Sequence, residues 1–380
     1  MKKGYKVKIY PNKQQQQWLL QQMGCCRYVY NYFLNLKKET YLKTGEILTY
    51  CKMSKQLTIL RKNTEWLKCV QYDPLQQSLR NLDVAFNRFY RGKTKFPLFH
   101  KKNSKNVFRK AKGWKIKGKN INIARNFKVK YRGKFPEKRQ VSLTITRDLC
   151  GDWWASTISE VEQKEYNLKG GIGIDLGIES LVTTNEGKKY KNIKVLKNKQ
   201  EKLKKLSQEF SRTKKDSKRH EKKRLEIARL YRKVANIRKN HLHHISKDIV
   251  SKNHALIAME GLNIIQMMKT KNLVKFILDA SWGELLRQIQ YKQEWRGGKI
   301  FKIDRFFPSS KTCSNCNFIV SSLPLNIRKW ACPKCGKTHD RDINAAIMIL
   351  KQAEERLGVE GKENIGELRF SENVACPVNR

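Results

Sequence analysis

The chain has 380 residues and carries 82 Lys and Arg against 33 Asp and Glu, a formal net charge of +49 at pH 7. Hydrophobic residues make up 39% and aromatics 10%, enough for packed cores and too much for a disordered basic tail protein. So one-sided a charge opposes self-contained compactness and favours a polyanionic partner, and no apolar run of about eighteen residues is present to suggest a transmembrane helix.

At the start, Met1-Lys2-Lys3 leads into alternating Tyr5, Val7 and Ile9, which reads as a strand over 5–10 and not as the apolar core of a signal peptide. The period then changes. Trp18, Leu19, Met23, Cys26, Tyr30, Phe33 and Leu34 follow helical spacing to about Leu42, with a turn at Thr44-Gly45. Two further helices are expected over Met53–Arg61 and Pro74–Tyr90, the second with Leu75, Leu79, Leu82 and Phe86 on one stripe. Residues 101–139 hold sixteen Lys and Arg and one acid, Glu137. Their apolar residues recur at strand-like intervals between Gly113, Gly118 and Gly133, and the alternation continues through Val141–Ile145 and Trp153–Thr157. This predicts a small antiparallel barrel whose one-signed outer face binds phosphates.

Glu160–Lys169 is a polar linker. Gly171–Gly177 reads as a short buried strand carrying Asp175, followed by strands over Leu181–Thr184 and Lys188–Tyr190 about an Asn185-Glu186-Gly187 turn. The glycines are spaced G-x-G-x-x-x-G with no helix after them, so a dinucleotide site is excluded. Residues 197–240 contain eighteen Lys and Arg and five acids; two apolar stripes predict a long basic helical hairpin turning near Ser211–Ser217. His241, His243 and His244 fall on a running helix, which favours surface or packing roles over metal ligation. Ala255–Glu260 is another buried strand, ending in a carboxylate. A helix over Ser281–Trp295 and a strand over Lys299–Phe307 follow, and the pattern dissolves from Leu357.

Between these last elements lies PSSKTCSNCNFIVSSLPLNIRKWACPKCGKTHDRDINAA, residues 308–346. Two Cys-x-x-Cys pairs, Cys313/Cys316 and Cys332/Cys335, stand fifteen residues apart. Pro333, Gly336 and Asn315 suit the two knuckles, and four thiolates at this spacing predict a zinc ribbon. Cys25, Cys26, Cys51, Cys69, Cys150 and Cys376 are scattered and fit reduced thiols. Asp340 and Asp342 open the following helix and could each be a cap. Three flanked, partly buried carboxylates nevertheless stand out: Asp175 in a strand, Glu260 at a strand's end and Asp342 opening a helix. Converging carboxylates need cations between them, and two Mg²⁺ would suit phosphodiester hydrolysis. The order strand-Asp, strand-Glu, helix-Asp is that of the RNase H-like nuclease fold.

The motifs KIYPNKQQ, GIDLGIESLVTTNEGKKY, MEGLN, SWGELLRQIQYKQEW, FFPSSKTCSNC, CPKCG and HDRDINAA span about the whole chain. In them it closely resembles the TnpB family of transposon-encoded RNA-guided nucleases, relatives of compact type V CRISPR effectors. The resemblance implies a multidomain α+β protein. A β-barrel wedge domain (1–10 and 96–168) would hold an inserted helical recognition domain (11–95). An RNase H-like (RuvC) α/β domain (169–309 and 339–356) would follow, with an inserted zinc ribbon for target nucleic acid (310–338) and a mobile tail (357–380). It implies Asp175, Glu260 and Asp342 as the catalytic, magnesium-binding triad, with Asp340 in support, and Cys313, Cys316, Cys332 and Cys335 as structural zinc ligands. Tyr50 and Gln76 stand where the family reads its target-adjacent motif.

By the same resemblance the partners are a guide RNA from the transposon end, double-stranded target DNA and the RNA–DNA heteroduplex. The protein would be a monomer in that ribonucleoprotein, in a prokaryotic cytoplasm beside the nucleoid and off the membrane. A nuclease-dead RNA-guided repressor would have lost triad carboxylates, and all three are present. A DNA-strand transposase would need a Tyr or Ser nucleophile context or a different acidic triad, and none is evident.

Overall fold

The computed structural model describes residues 1–102, 106–125, 127–136, 140–267, 269, 274–324 and 326–358. Cys376 and the expected tail beyond residue 358 lie outside them. The chain divides into two units, Met1–Glu162 and Gln163–Arg380.

In the first unit, strand β1 (Lys2–Tyr10) leads into helix α1 (Lys13–Thr44). Asn12 and Gln15 form a reciprocal capping box, which satisfies two orphan N–H groups at the helix start. Gly45, at φ 68°, takes the left-handed conformation that ends the helix. Helices α2 (Tyr50–Asn63), α3 (Glu65–Lys68) and α4 (Tyr72–Tyr90) follow. The short α3 has no periodic signature and was not expected. Strands β2 (Asn106–Lys110), β3 (Lys115–Lys117), β4 (Asn120–Ala124), β5 (Phe127–Arg132), β6 (Gln140–Arg147) and β7 (Trp153–Glu160) complete the unit. With β1 they form one seven-stranded antiparallel sheet, in the order β2-β6-β7-β1-β5-β4-β3. Among the described residues β2 and β3 are its edges, so the hydrogen bonding is that of an open sheet where a barrel was expected. Helices and sheet share one core: Leu19, Phe33, Met53 and Leu79 join Ile9, Phe108 and Ile121. Trp18 stacks its ring 4.2 Å from that of Phe127.

The second unit begins with β8 (Gly171–Asp175), β9 (Ser180–Thr184) and β10 (Lys189–Lys191). The basic hairpin is α5 (Val195–Ser211) and α6 (Lys218–Ser251). Then come β11 (Leu256–Glu260), α7 (Ile264–Met267), α8 (Val274–Ala280), α9 (Trp282–Trp295) and β12 (Lys299–Ile303). Last are β13 (Lys329–Ala331), β14 (Thr338–Asp340) and α10 (Arg341–Arg356). The expected strand over 299–307 stops at Ile303. Asp304 turns the chain there, its carboxylate accepting the Phe306 N–H at 2.7 Å and its carbonyl the Phe307 N–H.

The sheet runs β10-β9-β8-β11-β12, with β8, β11 and β12 parallel and β9 and β10 antiparallel. Side chains alternate across its two faces. Ile172, Ile174, Ile257 and Met259 pack on one face with Leu242, Ile245 and Ile249 of α6 and Leu285 and Ile289 of α9. Leu256, Ala258 and Ile303 pack on the other with Ile349 and Ala353 of α10. The buried carboxylate of Asp279 closes the start of α5, accepting from the Leu196 N–H and from the Arg238 guanidinium at 3.0 Å. Among the described residues no helix is long and apolar enough to cross a membrane.

Candidate active site and metal centre

Strand periodicity decides which face each carboxylate takes. Gly171, Gly173 and Asp175 alternate with Ile172 and Ile174, so Asp175 lies on the α10 face of the sheet. Leu256, Ala258 and Glu260 share that face by the same rule. The parallel register pairs Met259 with Ile174, so Asp175 and Glu260 end neighbouring strands side by side. Helix α10 crosses β8 so closely that a Cβ on Gly173 would stand 2.0 Å from the carbonyl oxygen of Ala346. This contact brings the first turn of α10, with Asp342, to the strand ends.

Asp175 senses the other two carboxylates. Burial, then the like charges of Glu260 and Asp342, push Asp175 up to about 7. Burial also raises Glu260, against a hydrogen bond from Ser309, whose Oγ donates to Oε1 at 2.7 Å. Asp342 is compensated by cations: Arg328 reaches it at 3.3 Å and Lys189 at 3.7 Å. Among the described residues the three carboxylates are not gathered as the four cysteines are, whose ligand atoms lie within 4.8 Å of one another. The donor set still fits a hard divalent cation, because three carboxylate oxygen donors brought to one place are stabilised by one. Asp340 plays a separate part. Its carboxylate accepts from the N–H groups of Asp342 and Ile343, as a helix cap does, and is paired with Lys189 at 2.8 Å.

Cys313, Cys316, Cys332 and Cys335 have their sulfurs within 4.8 Å of one another. Cys313 and Cys335 are 3.7 Å apart and Cys316 and Cys332 3.6 Å. A tetrahedral zinc with bonds of about 2.3 Å sets such sulfurs about 3.8 Å apart, so the residues fit that ion. The two knuckles are built alike. Asn317 N–H returns to the Cys313 carbonyl and Gly336 N–H to that of Cys332, each at 2.9 Å. The left-handed position in each is Asn317 (φ 59°) and Gly336 (φ 69°). Asn315 serves the first turn, where its N–H donates to the Cys313 sulfur at 3.4 Å, and also directs its side-chain amide to Cys335 at 3.6 Å. Backbone and Asn315 hydrogen bonds hold the Cys335 thiol below its ordinary range.

Several residues of this region carry no sequence signal of their own. Ser309 orients Glu260. His339 places Nε2 3.0 Å from the Cys313 sulfur. Arg328 is set beside Asp342 by the β13–β14 pairing, and Lys189 by β10. In the first unit, Tyr50 opens α2 and Gln76 lies one turn before Arg80 on α4; Arg80 Nε donates to the Tyr50 hydroxyl at 3.3 Å. Of the three histidines, His241 bonds the Lys191 carbonyl at 2.9 Å and His244 is exposed.

Family models match three stretches: a helix-turn-helix domain over 1–46, a probable transposase over 156–271 and a Cas12f1-like TNB domain over 282–349. The first stretch holds β1 and the single long helix α1. A Streptomyces pristinaespiralis protein named as an RNA-guided DNA endonuclease is 33% identical over 92% of this chain and 89% of its own. The Escherichia coli K12 protein named as the RNA-guided DNA endonuclease InsQ is 31% identical over 91% of each. The fold is similar to that of Cas12f1 in a cryo-electron microscopy structure with sgRNA and target DNA. There the TM-score is 0.57 and identity 15%, over 87% of this chain and 81% of that one. The chain belongs to the TnpB family of RNA-guided DNA endonucleases.

Proposed function

We propose that this chain hydrolyses double-stranded DNA at sites chosen by a bound transposon-derived RNA, with Asp175, Glu260 and Asp342 as its catalytic carboxylates. The observation that carries the reading is the delivery of all three to one end of the parallel strands, where burial and the charges of Glu260 and Asp342 raise the affinity of Asp175 for positive charge. The mixed five-stranded sheet with α10 on its carboxylate face supports an RNase H-like (RuvC) domain.

The three carboxylates would hold Mg²⁺, two ions by the chemistry of such sites. Bound there, the metal supplies an activated water and charge neutralisation at the leaving oxygen. Water adds to phosphorus, one P–O bond breaks, and a phosphomonoester and a free hydroxyl remain. Ser309 fixes the rotamer of Glu260. Lys189 and Arg328 offset the charge on Asp342.

The cysteine module would carry one structural zinc and handle the target. The sheet of the first unit is the wedge in this reading and its helices the recognition domain, with Tyr50 and Gln76, through Arg80, at a target-adjacent motif. The +49 charge supports guide RNA, duplex DNA and their heteroduplex as partners of a single chain working in a prokaryotic cytoplasm. The test is cleavage of guide-matched DNA by the RNA-loaded protein in Mg²⁺. Asp175→Ala should abolish cutting, and cutting by that variant at the wild-type rate overturns the assignment.

A further inference from the structure

Phe306 is the most exposed aromatic side chain among the described residues, at 76%. A lone exposed ring is ordinary on a protein surface. This one is unusual in how it is held and in what lies beside it. The turn that carries it is fixed from within by the Asp304 carboxylate, which accepts the Phe306 N–H at 2.7 Å. It is fixed to the carboxylate site on both sides. Before it, Ile303 accepts the Gly261 N–H at 3.1 Å, one residue beyond Glu260; after it, Ser309 donates to Glu260 itself at 2.7 Å. The next residue, Phe307, packs partly buried against the core that α10 covers, which ties down the far side of the turn. The Arg305 guanidinium lies over the Phe306 ring at 4.3 Å, and one of its nitrogens is held by Gln266 at 3.1 Å.

An open ring with a fixed cation, rigidly spaced from a carboxylate, matches one nucleotide: the base lies on the ring and a phosphate meets the guanidinium. The neighbouring Glu260 would repel the phosphate unless it were offset, and Arg305 supplies that charge. Resting on the nuclease reading above, we propose that Phe306 stacks an unpaired base of the DNA strand entering the Asp175–Glu260–Asp342 site while Arg305 holds an adjoining phosphate. Phe306 is then a positioning residue for the strand to be cut.

The test uses the RNA-loaded protein and guide-matched DNA with 2-aminopurine at successive positions of either strand. Binding is read in the cutting-deficient Asp175→Ala background. Stacking should quench fluorescence at one position; the quench should vanish with Phe306→Ala and return with Phe306→Tyr or Phe306→Trp. In the cutting-competent protein, Phe306→Ala should slow cleavage about tenfold, the scale of one lost base–aromatic stack, with guide-directed binding and zinc content unchanged. An abasic nucleotide at the quenched position should slow the wild type by the same factor and Phe306→Ala no further. Unchanged cleavage and quenching in Phe306→Ala overturns the stack alone. A wild-type complex that fails to cut guided DNA overturns the nuclease reading, and this inference with it.

Discussion

The side-chain amide of Asn344 donates to the carbonyl of Thr312 at 2.7 Å, joining the first turn of α10 to the residue before Cys313, the first cysteine of the cluster. The same side chain accepts the Ser314 N–H at 2.9 Å, on the other side of Cys313. Asn344 is 1% exposed, so water cannot replace these bonds. The helix that carries Asp342 and the loop that carries Cys313 are therefore one mechanical unit.

Asn344→Ala leaves a buried donor and acceptor without partners and should cost about 1–3 kcal/mol. Chemical denaturation of the zinc-loaded protein measures it. DNA cutting should fall with it while RNA binding is kept. A variant as stable as the wild type would show that the coupling does not matter.

Removing the metal of the cysteine module should loosen it, because binding energy at such sites is folding energy. Metal analysis is expected to give one zinc per chain, and Cys332→Ser should release it. Proteolysis between 310 and 338 should then quicken. Wild-type protein without zinc would sink the assignment.

Asp340 and Asp342 should separate cleanly. Asp342→Ala should abolish cutting and leave guide-directed DNA binding intact in a gel shift. Asp340→Ala loses a helix cap, worth about 1 kcal/mol, and leaves Lys189 to Asp342 alone; it should be slightly less stable and still cut. The reverse pattern would exchange their roles.

Gly173→Ala drives a methyl group to 2.0 Å from a backbone oxygen of α10, and neither β8 nor α10 can give way without leaving the core. The cost should be about 3 kcal/mol or more, by overpacking. Hydrogen exchange should rise first in α10. Normal protection there would mean that the helix can shift.

Asp279→Ala removes both the closure of α5 and the partner of Arg238. A lost cap and a lost charged hydrogen bond together should lower stability by roughly 2–3 kcal/mol. A thermal melt of the wild type and the variant reads this directly; equal midpoints would show the cap to be dispensable.

Much of this was legible in the residues themselves. The helical stripe from Trp18 to Leu34, the basic hairpin over 197–240 and the two Cys-x-x-Cys pairs are local patterns, because period and spacing act over a few residues. Charge alone pointed to a polyanion. The carboxylates Asp175 and Glu260 announced themselves as acids of apolar strands, the first within one and the second at an end. What only the tertiary structure decided is long-range. The β8–β11 register and the approach of α10 over Gly173 bring Asp175, Glu260 and Asp342 to one end of the sheet. Asp340 and Asp342 could each be a cap by local pattern, and it is Asp340 whose carboxylate accepts the cap hydrogen bonds. Ser309, Arg328, Lys189 and Asn344 are ordinary polar residues until folding sets each beside a partner far along the chain. The sheet of the first unit shows the limit from the other side. Alternation predicts strands but not which of them pair, and among the described residues β2 and β3 are edges by a pairing geometry that no single strand encodes.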